Sequence, residues 1–432
     1  MHIVGAKHVH MVGIGGIGMS ALAQLLVTRG VAVSGSDRSE SLTTTLLESK
    51  GVHVLIGHGE MPSGTDLLIY SDAVPAEDVE RAHASERGIP QLTYFAALGE
   101  ISKDMNTVAI AGTHGKTTTT GMLAKILSDI AENPTAIVGS LVRDFPGPTG
   151  GSNFLTGRED LLVVEACEYR NHLLELSPRI LVITNIELDH TDFFPSLESL
   201  IETFRTAAHR VPRDGHIVTN PTGANIAQVL AGAQARIVDY TQLAIGSLLL
   251  PGEFNRENGR AALAAARALV PGMDLESGVK SLSKFQGSWR RFEYKGETKS
   301  GAQVYDDYAH HPTAVEKTIL AAREKFPDKK IVVAFHPHLY SRTKSFLNEF
   351  AHALALADDT LIAPIYAARE VDDGSVTSEL LAAVSRDAGG STRAFNSFDT
   401  VRRELEKYST DTVIITMGAG DIYKVAEEIT QE

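Results

Sequence analysis

Gly112-Thr113-His114-Gly115-Lys116-Thr117 is the stretch with the most direct chemistry. It follows the apolar run TVAIA and precedes the helix-period run TTTTGMLAKILSDI. Backbone N–H groups of such a loop can cradle phosphates, a lysine neutralises them, and a threonine hydroxyl ligates Mg2+. The spacing departs from GxxxxGK[ST], because Ile110 stands where the first Gly belongs. GKT after a strand still predicts ATP or GTP binding, against a chance turn with an exposed lysine.

A second loop, Gly13-Ile14-Gly15-Gly16-Ile17-Gly18, also joins a strand to a helix. Its glycines allow a tight turn and a close approach of backbone N–H groups to a pyrophosphate at the helix N-terminus. Asp37 ends the next strand, where a dinucleotide fold places its ribose-binding acid. Read alone, the motif fits NAD, a UDP-sugar, or a glycine turn used only for packing. Two phosphate loops in series speak against a simple dehydrogenase, which needs no triphosphate.

Acids gather at predicted strand ends. Glu165 and Glu168 follow LLVV, and Asn185, Glu187, Asp189 and His190 follow ILVIT. Ligands of parallel sheets bind beyond the carboxyl ends of strands, and hard oxygen donors such as Glu165 suit Mg2+. The bland alternative is solvated loop acids with one satisfied histidine. A further cluster, Asp306-Asp307-Tyr308-Ala309-His310-His311-Pro312, is followed by His336-Pro337-His338 and Ser341-Arg342-Thr343. No HExxH or other transition-metal spacing appears, so an anionic substrate site using Arg342 and a histidine is expected. The alternative is histidines and Pro312 that merely start a helix.

These residues need elements to hold them. Strand-like runs alternate with helix-period runs almost throughout, the pattern of βαβ units and parallel sheets. HVHMVG, VAVSGSD and DLLIYSDAV form a first block; NTVAIAG, LLVVEA and ILVITNI a second; AQVYDD, KIVVAF, DTLIAPI and TVIITM a third. The 432 residues suffice for several domains, and the formal net charge of −14 argues against a protein built to grip nucleic-acid backbones. One cysteine, Cys167, excludes an intramolecular disulfide and multi-cysteine zinc frameworks. No secretory signal pattern or membrane-spanning apolar run is found, so a soluble cytoplasmic protein with no membrane partner is expected.

From about residue 5 to 425 the chain resembles the Mur ligases. The resemblance is carried by GIGGIGMS, GSD at 35–37, AGTHGKTTTT, VVEACEY, TNIELDH, FQGSWRRFE, DDYAHHPT, FHPHLYSRT and MGAGDI. It is most similar to the branch that joins L-alanine to UDP-N-acetylmuramate. No lysine occurs between Thr191 and Gly215, where sister branches carry a carbamylated one. The resemblance implies three α/β domains in series: a Rossmann-like UDP-binding domain (1–104), a P-loop ATPase-like domain with a mostly parallel sheet (105–288), and a Rossmann-like amino-acid-binding domain (289–432).

The resemblance further implies ATP and Mg2+ as cofactors and an acyl-phosphate intermediate. Lys116, Glu165, His190, His310 and Arg342 would be catalytic, with Thr117, Glu165 and His190 serving the metal. Gly112, Thr113, His114, Gly115, Lys116, Thr117, Thr118, Asn255, Asn258 and Arg291 would hold ATP. Gly15, Gly16, Ile17, Gly18, Asp37, Ser71 and Tyr308 would hold the UDP-substrate. A monomer or weak homodimer is expected. Three departures stand out: Cys167 in place of an aspartate, Phe254 in place of a histidine, and a short TQLAIGSLLLP where relatives are longer. Cys167 and Phe254 keep open a catalytically impaired nucleotide binder, and the same first domain and P-loop also suit a murein tripeptide ligase.

Overall fold

The computed structural model describes residues 3, 5–57, 59–147, 150–368 and 370–430. The outermost positions of the expected domains, 1 and 432, lie outside these. Three sheets in chain order form the α/β architecture, and the apolar runs singled out above fall on strands of these sheets, whereas polar edge strands such as Glu293–Glu297 carry no such signal. The first contains β1 (His8–Val12), β2 (Ala32–Asp37), β3 (His53–Ile56), β4 (Leu67–Tyr70) and β5 (Gln91–Thr93), all parallel, in the order β3-β2-β1-β4-β5. The direction of winding reverses between β1 and β4. The loops leaving those two strands, Gly13 onward and Ser71 onward, therefore flank the crevice where such sheets bind ligands.

The second sheet contains β6 (Asn106–Ala111), β7 (Thr135–Val142), β8 (Ser152–Leu155), β9 (Leu161–Glu165), β10 (Ile180–Ile183), β11 (His216–Thr219) and β12 (Arg236–Asp239). Its order is β12-β11-β10-β6-β9-β7-β8, with β8 antiparallel at one edge. β6 is central between β10 and β9, and Val108–Ala111 are fully buried, as expected of a strand covered on both faces. Its loop thus leaves the sheet beside the ends of β9 and β10, which carry Glu165 and the segment 184–187.

The third sheet contains β13 (Glu293–Glu297), β14 (Gln303–Asp307), β15 (Lys330–Phe335), β16 (Asp359–Ile362), β17 (Thr392–Ala394) and β18 (Thr412–Met417), in the order β13-β14-β18-β15-β16-β17, with β13 antiparallel. Along β15, Ile331, Val333 and Phe335 enter one core while Val332 and Ala334 enter the other. That two-residue alternation is what a strand with two buried faces requires.

The chain divides into two compact units. One comprises residues up to Glu187, Leu197–Ser247 and Glu257–Gln286, and holds the first two sheets; the other comprises Leu188–Ser196, Leu248–Arg256 and the chain from Gly287, and holds the third. Two pieces of the 105–288 stretch therefore group with the third sheet, and they carry His190 and Asn255. Within the first unit, helix Ile17–Thr28 is buried almost all round. Its polar Gln24 and Ser20 are satisfied by Asn153, at 3.1 and 2.8 Å. Among the described residues no helix is long and apolar enough to cross a membrane.

Candidate active site

The loop after β6 takes its shape from two glycines in left-handed conformation, Gly112 (φ 127°) and Gly115 (φ 84°). A Cβ on Gly112 would lie 2.1 Å from Thr184 Oγ1, and one on Gly115 would lie 2.2 Å from Asn258 Oδ1, so both positions exclude side chains. The segment after β10 holds the loop from beside. Asn185 Oδ1 accepts from the His114 N–H at 2.9 Å, Thr184 Oγ1 donates to the His114 carbonyl at 2.6 Å, and Thr113 Oγ1 donates to the Glu187 carbonyl at 2.9 Å. His114 Nε2 also lies 3.3 Å from Glu187 Oε2. Helix Lys116–Asp129 starts at once with four threonines, which are poor helix formers, but their side chains are buried and Thr120 Oγ1 bonds the Lys116 carbonyl.

Lys116 Nζ donates to the Gly112 carbonyl (2.6 Å), the Thr113 carbonyl (3.2 Å) and both oxygens of Glu168 (3.0 Å). Burial, the largest single influence, pulls the ammonium pKa down, but Glu168, Cys167 and Glu165 together outweigh it and the net shift is upward. Thr117 Oγ1 donates to Glu165 Oε1 at 3.0 Å, and Glu165 Oε2 accepts from the Gly139 N–H at 2.7 Å. Lys116, Thr117, Glu165 and Asn258 are thus one constellation. Thr118, the next residue of the helix, is buried. Cys167 leaves Lys116 and Glu165 with these partners. Its own thiol pKa is pushed up to about 12, by burial first and then by Glu168.

At the first glycine loop, the Gly13 and Ile14 N–H groups donate to the Ser36 carbonyl at 2.8 and 3.0 Å. Gly16 caps helix Ile17–Thr28, which carries Gly18 in its first turn. Asp37 serves the loop directly: Oδ2 accepts from the Gly15 N–H and Oδ1 from the Arg38 N–H, both at 2.8 Å. The residue expected as a ribose acid thus also braces the loop. Ser71 lies across from Gly13, 3.1 Å from where its Cβ would be.

In the second unit, β14 ends in two acids that are structural. Asp306 Oδ2 accepts from Arg290 Nε at 2.7 Å, and Asp306 Oδ1 accepts from Thr416 Oγ1 at 2.6 Å. Asp307 accepts from the Phe292 and Ala309 N–H groups at 2.7 and 2.8 Å, and burial pushes its pKa up to about 6. The adjacent histidines divide their roles. His311 caps helix Pro312–Lys325, its Nδ1 accepting from the Thr313 N–H, and its Nε2 donates to the Leu188 carbonyl. His310 Nδ1 donates to the Tyr308 carbonyl at 2.9 Å, and burial with the nearby Arg342 charge holds its pKa well below the usual value. A neutral imidazole in that tautomer keeps its Nε2 lone pair available.

Arg342, 4% exposed, donates Nε and Nη2 to Asp189 Oδ1 at 3.1 and 2.7 Å, and its Nη1 lies 3.1 Å from His338 Nδ1. Burial works against charge on Asp189, but Arg342, His190, His310 and His311 hold its carboxyl well below the usual range. His190, in left-handed conformation (φ 52°), donates its N–H to the same Asp189 oxygen at 2.7 Å. Arg291 and Arg290 lie 5.1 and 5.2 Å from the Tyr308 ring centre. Asn255 Nδ2 donates to the Pro251 carbonyl, and Phe254 packs beside Gly252. Asp189, His338 and Glu168 are partners to which sequence reasoning gave no role. Glu168 was signalled by its place three residues after Glu165 at a strand end, whereas nothing local links Asp189 to Arg342.

Comparison with known proteins gives a consistent result over the whole length. Residues 8–105 match the Mur ligase family catalytic domain, 110–247 the Mur ligase middle domain, and 290–420 the Mur ligase glutamate ligase domain. The chain is 36% identical to a UDP-N-acetylmuramate–L-alanine ligase of Agathobacter rectalis over 98% of each protein. It is also 36% identical to the ligase of that name from Caldanaerobacter subterraneus, over 99% of this chain and 98% of the relative. Among solved structures, the UDP-N-acetylmuramate-alanine ligase of Thermotoga maritima superposes with a TM-score of 0.79 at 27% identity, covering 98% of both chains. A murein peptide ligase of Psychrobacter arcticus shares the fold, with a TM-score of 0.70 at 23% identity over 99% of this chain and all of that one.

Proposed function

The chain belongs to the Mur ligase family, and within it we propose that it joins L-alanine to the carboxylate of UDP-N-acetylmuramate at the expense of ATP. The observation that carries this reading is the pair of phosphate loops in one compact unit, the glycine loop of the first sheet and the Lys116 loop of the second. A ligase that activates a nucleotide-linked acid needs both: one for the substrate pyrophosphate, one for the triphosphate.

A free carboxylate is a poor electrophile. Its oxygen therefore attacks the γ-phosphorus of ATP, forming an acyl phosphate as the bond to ADP breaks. The amine of L-alanine then attacks the acyl carbon, the amide forms, a proton leaves the nitrogen and phosphate departs. Lys116 and the loop N–H groups stabilise charge spreading over the transferring phosphoryl group. The Thr117 hydroxyl and Glu165 carboxylate are hard oxygen donors 3.0 Å apart, a fit for Mg2+. A Mg2+ held by these residues would supply neutralisation of phosphate charge. Glu168 keeps the ammonium directed along the loop.

Asn255, Asn258 and Arg291 are assigned to the nucleotide, and Gly15, Gly16, Ile17, Gly18, Ser71 and Tyr308 to the UDP-substrate, with Asp37 acting through its bond to Gly15. His310, neutral and with Nε2 open, is assigned the amine proton, while Arg342 is set by Asp189 near His338. The test is an assay of ADP release and amide product with ATP, Mg2+ and UDP-N-acetylmuramate, offering L-alanine, glycine, L-serine or a murein tripeptide in turn. L-Alanine as the preferred amine supports the reading. Preference for tripeptide moves the chain to the recycling branch, and binding of both nucleotides without product makes it a non-catalytic relative.

A further inference from the structure

Tyr94 opens helix Tyr94–Lys103, directly after β5, and nothing above gives it a role. Its ring lies against the helix that follows the first glycine loop. A Cβ on Gly18 would be 2.7 Å from Tyr94 Cζ and 2.8 Å from the hydroxyl oxygen, so Gly18 is what admits the phenol there. The same helix packs on the segment that follows Glu165 and Glu168. Phe95 stacks on His172 with ring centres 3.6 Å apart, the Ser177 N–H donates to Ser102 Oγ at 3.0 Å, and a Cβ on Gly99 would meet the Glu175 carbonyl at 2.6 Å. His172 is tied in turn to Asp72, 2.6 Å away, in the loop beyond Ser71.

Tyr94 therefore stands where the two phosphate-binding halves of the first unit meet. The residue is half-buried, and its hydroxyl has no hydrogen-bond partner among the described residues. Burial first, and then the charge of Glu165, raise the phenol pKa, which keeps it a neutral O–H donor. Tyr94 touches Gly18 and lies within electrostatic reach of Glu165, so it sits beside both ends of a substrate whose pyrophosphate is at Gly15–Gly18 and whose carboxylate is activated at the Lys116 loop. An unmatched neutral donor there suits a carboxylate oxygen.

Resting on the ligase reading above, we propose that the Tyr94 hydroxyl donates a hydrogen bond to the lactyl carboxylate of UDP-N-acetylmuramate and so helps select the acid-bearing sugar. The test compares wild type and Tyr94→Phe by calorimetry with three probes: UDP, UDP-N-acetylglucosamine, which lacks the lactyl group, and UDP-N-acetylmuramate. The variant should lose about tenfold in affinity for UDP-N-acetylmuramate alone, the effect of one charge-assisted hydrogen bond. Unchanged affinity for all three overturns the proposal. A loss shared by UDP also overturns it, because the phenol would then serve the pyrophosphate or the glycine loop itself. A loss shared only by the two sugars overturns the carboxylate assignment. A wild-type protein that binds UDP but discriminates neither sugar fails at the ligase reading, which is a different result from any of these.

Discussion

The Lys116 ammonium is held 3.0 Å from both carboxylate oxygens of Glu168, a side chain only 1% exposed. The lysine that should neutralise phosphate is thus tethered at its far side before any nucleotide arrives. Its direction is fixed by protein, which lowers the reorganisation needed at the moment of transfer. Glu168→Gln keeps the shape and removes the charge, and kcat should fall roughly tenfold or more while the fold persists. Glu168→Ala leaves a buried ammonium without its counter-ion and should cost about 3 kcal/mol in urea denaturation. A kcat unchanged in the glutamine variant would mean that the tether is only structural.

Gly15 tests the other loop. A Cβ there would lie 2.8 Å from Asp37 Oδ2 and 2.8 Å from Thr44 Cγ2, so the branched side chain of Gly15→Val must push away the carboxylate that braces the loop. Affinity for UDP-N-acetylmuramate should collapse while ATP affinity stays at the wild-type value. Separate calorimetric titrations of each ligand decide it, and equal losses of both would indicate a wider failure of the first unit.

The chemistry of these loops was legible because strand, glycines and helix are adjacent in sequence. GTHGKT and GIGGIG each carry their own context, and β1, β2, β6, β9 and β10 fall on the apolar runs read as strands. The third block was read as readily, with helix Pro312–Lys325 starting at the proline that follows His310-His311. What stayed hidden depends on contacts distant in sequence. Asp189 and Arg342 are separated by 153 positions, yet they form a buried pair in the second unit. Arg290, bonded to Asp306 and to the carbonyls of Gly418 and Gly420, gave no signal either. Asp37 is expected by position as a ribose acid, and its bond to the Gly15 N–H is a further contact that no local pattern announces. His190 and Asn255 sit in short segments that group with the third sheet, a division no local pattern announces.

Cys167 is the single cysteine, so its reactivity can be read without interference. Its pKa of about 12 means that the reactive thiolate is roughly 10³-fold scarcer near neutral pH than for an ordinary exposed cysteine. Iodoacetamide at pH 8 should therefore label the native protein at least about 100-fold more slowly than the urea-unfolded chain. Rapid native labelling would show that Lys116 draws the thiol down more strongly than burial and Glu168 push it up.

The Asp189–Arg342 pair makes the last prediction, and its sign follows from the direction of the Asp189 shift. Both side chains are nearly inaccessible, at 7% and 5%, so Asp189→Asn leaves a buried guanidinium facing an amide. That should cost about 3–5 kcal/mol at pH 7. The native carboxyl is held well below the ordinary range, so its contribution is complete above the unfolded value near pH 4 and is lost only as pH falls through the lower folded value. The difference in stability between wild type and Asp189→Asn should therefore not shrink between pH 7 and 5, and should narrow only below about pH 4. Asp307 behaves in the opposite sense. Its pKa, raised to about 6, imposes a cost above that pH which acidification relieves, but it does so in both proteins and cancels in the comparison. Urea denaturation of the two proteins at pH 7, 5 and 3 measures the difference directly. A gap that closes between pH 7 and 5 would show that Asp189 titrates at or above the ordinary carboxylate range, and that Arg342 does not hold it charged.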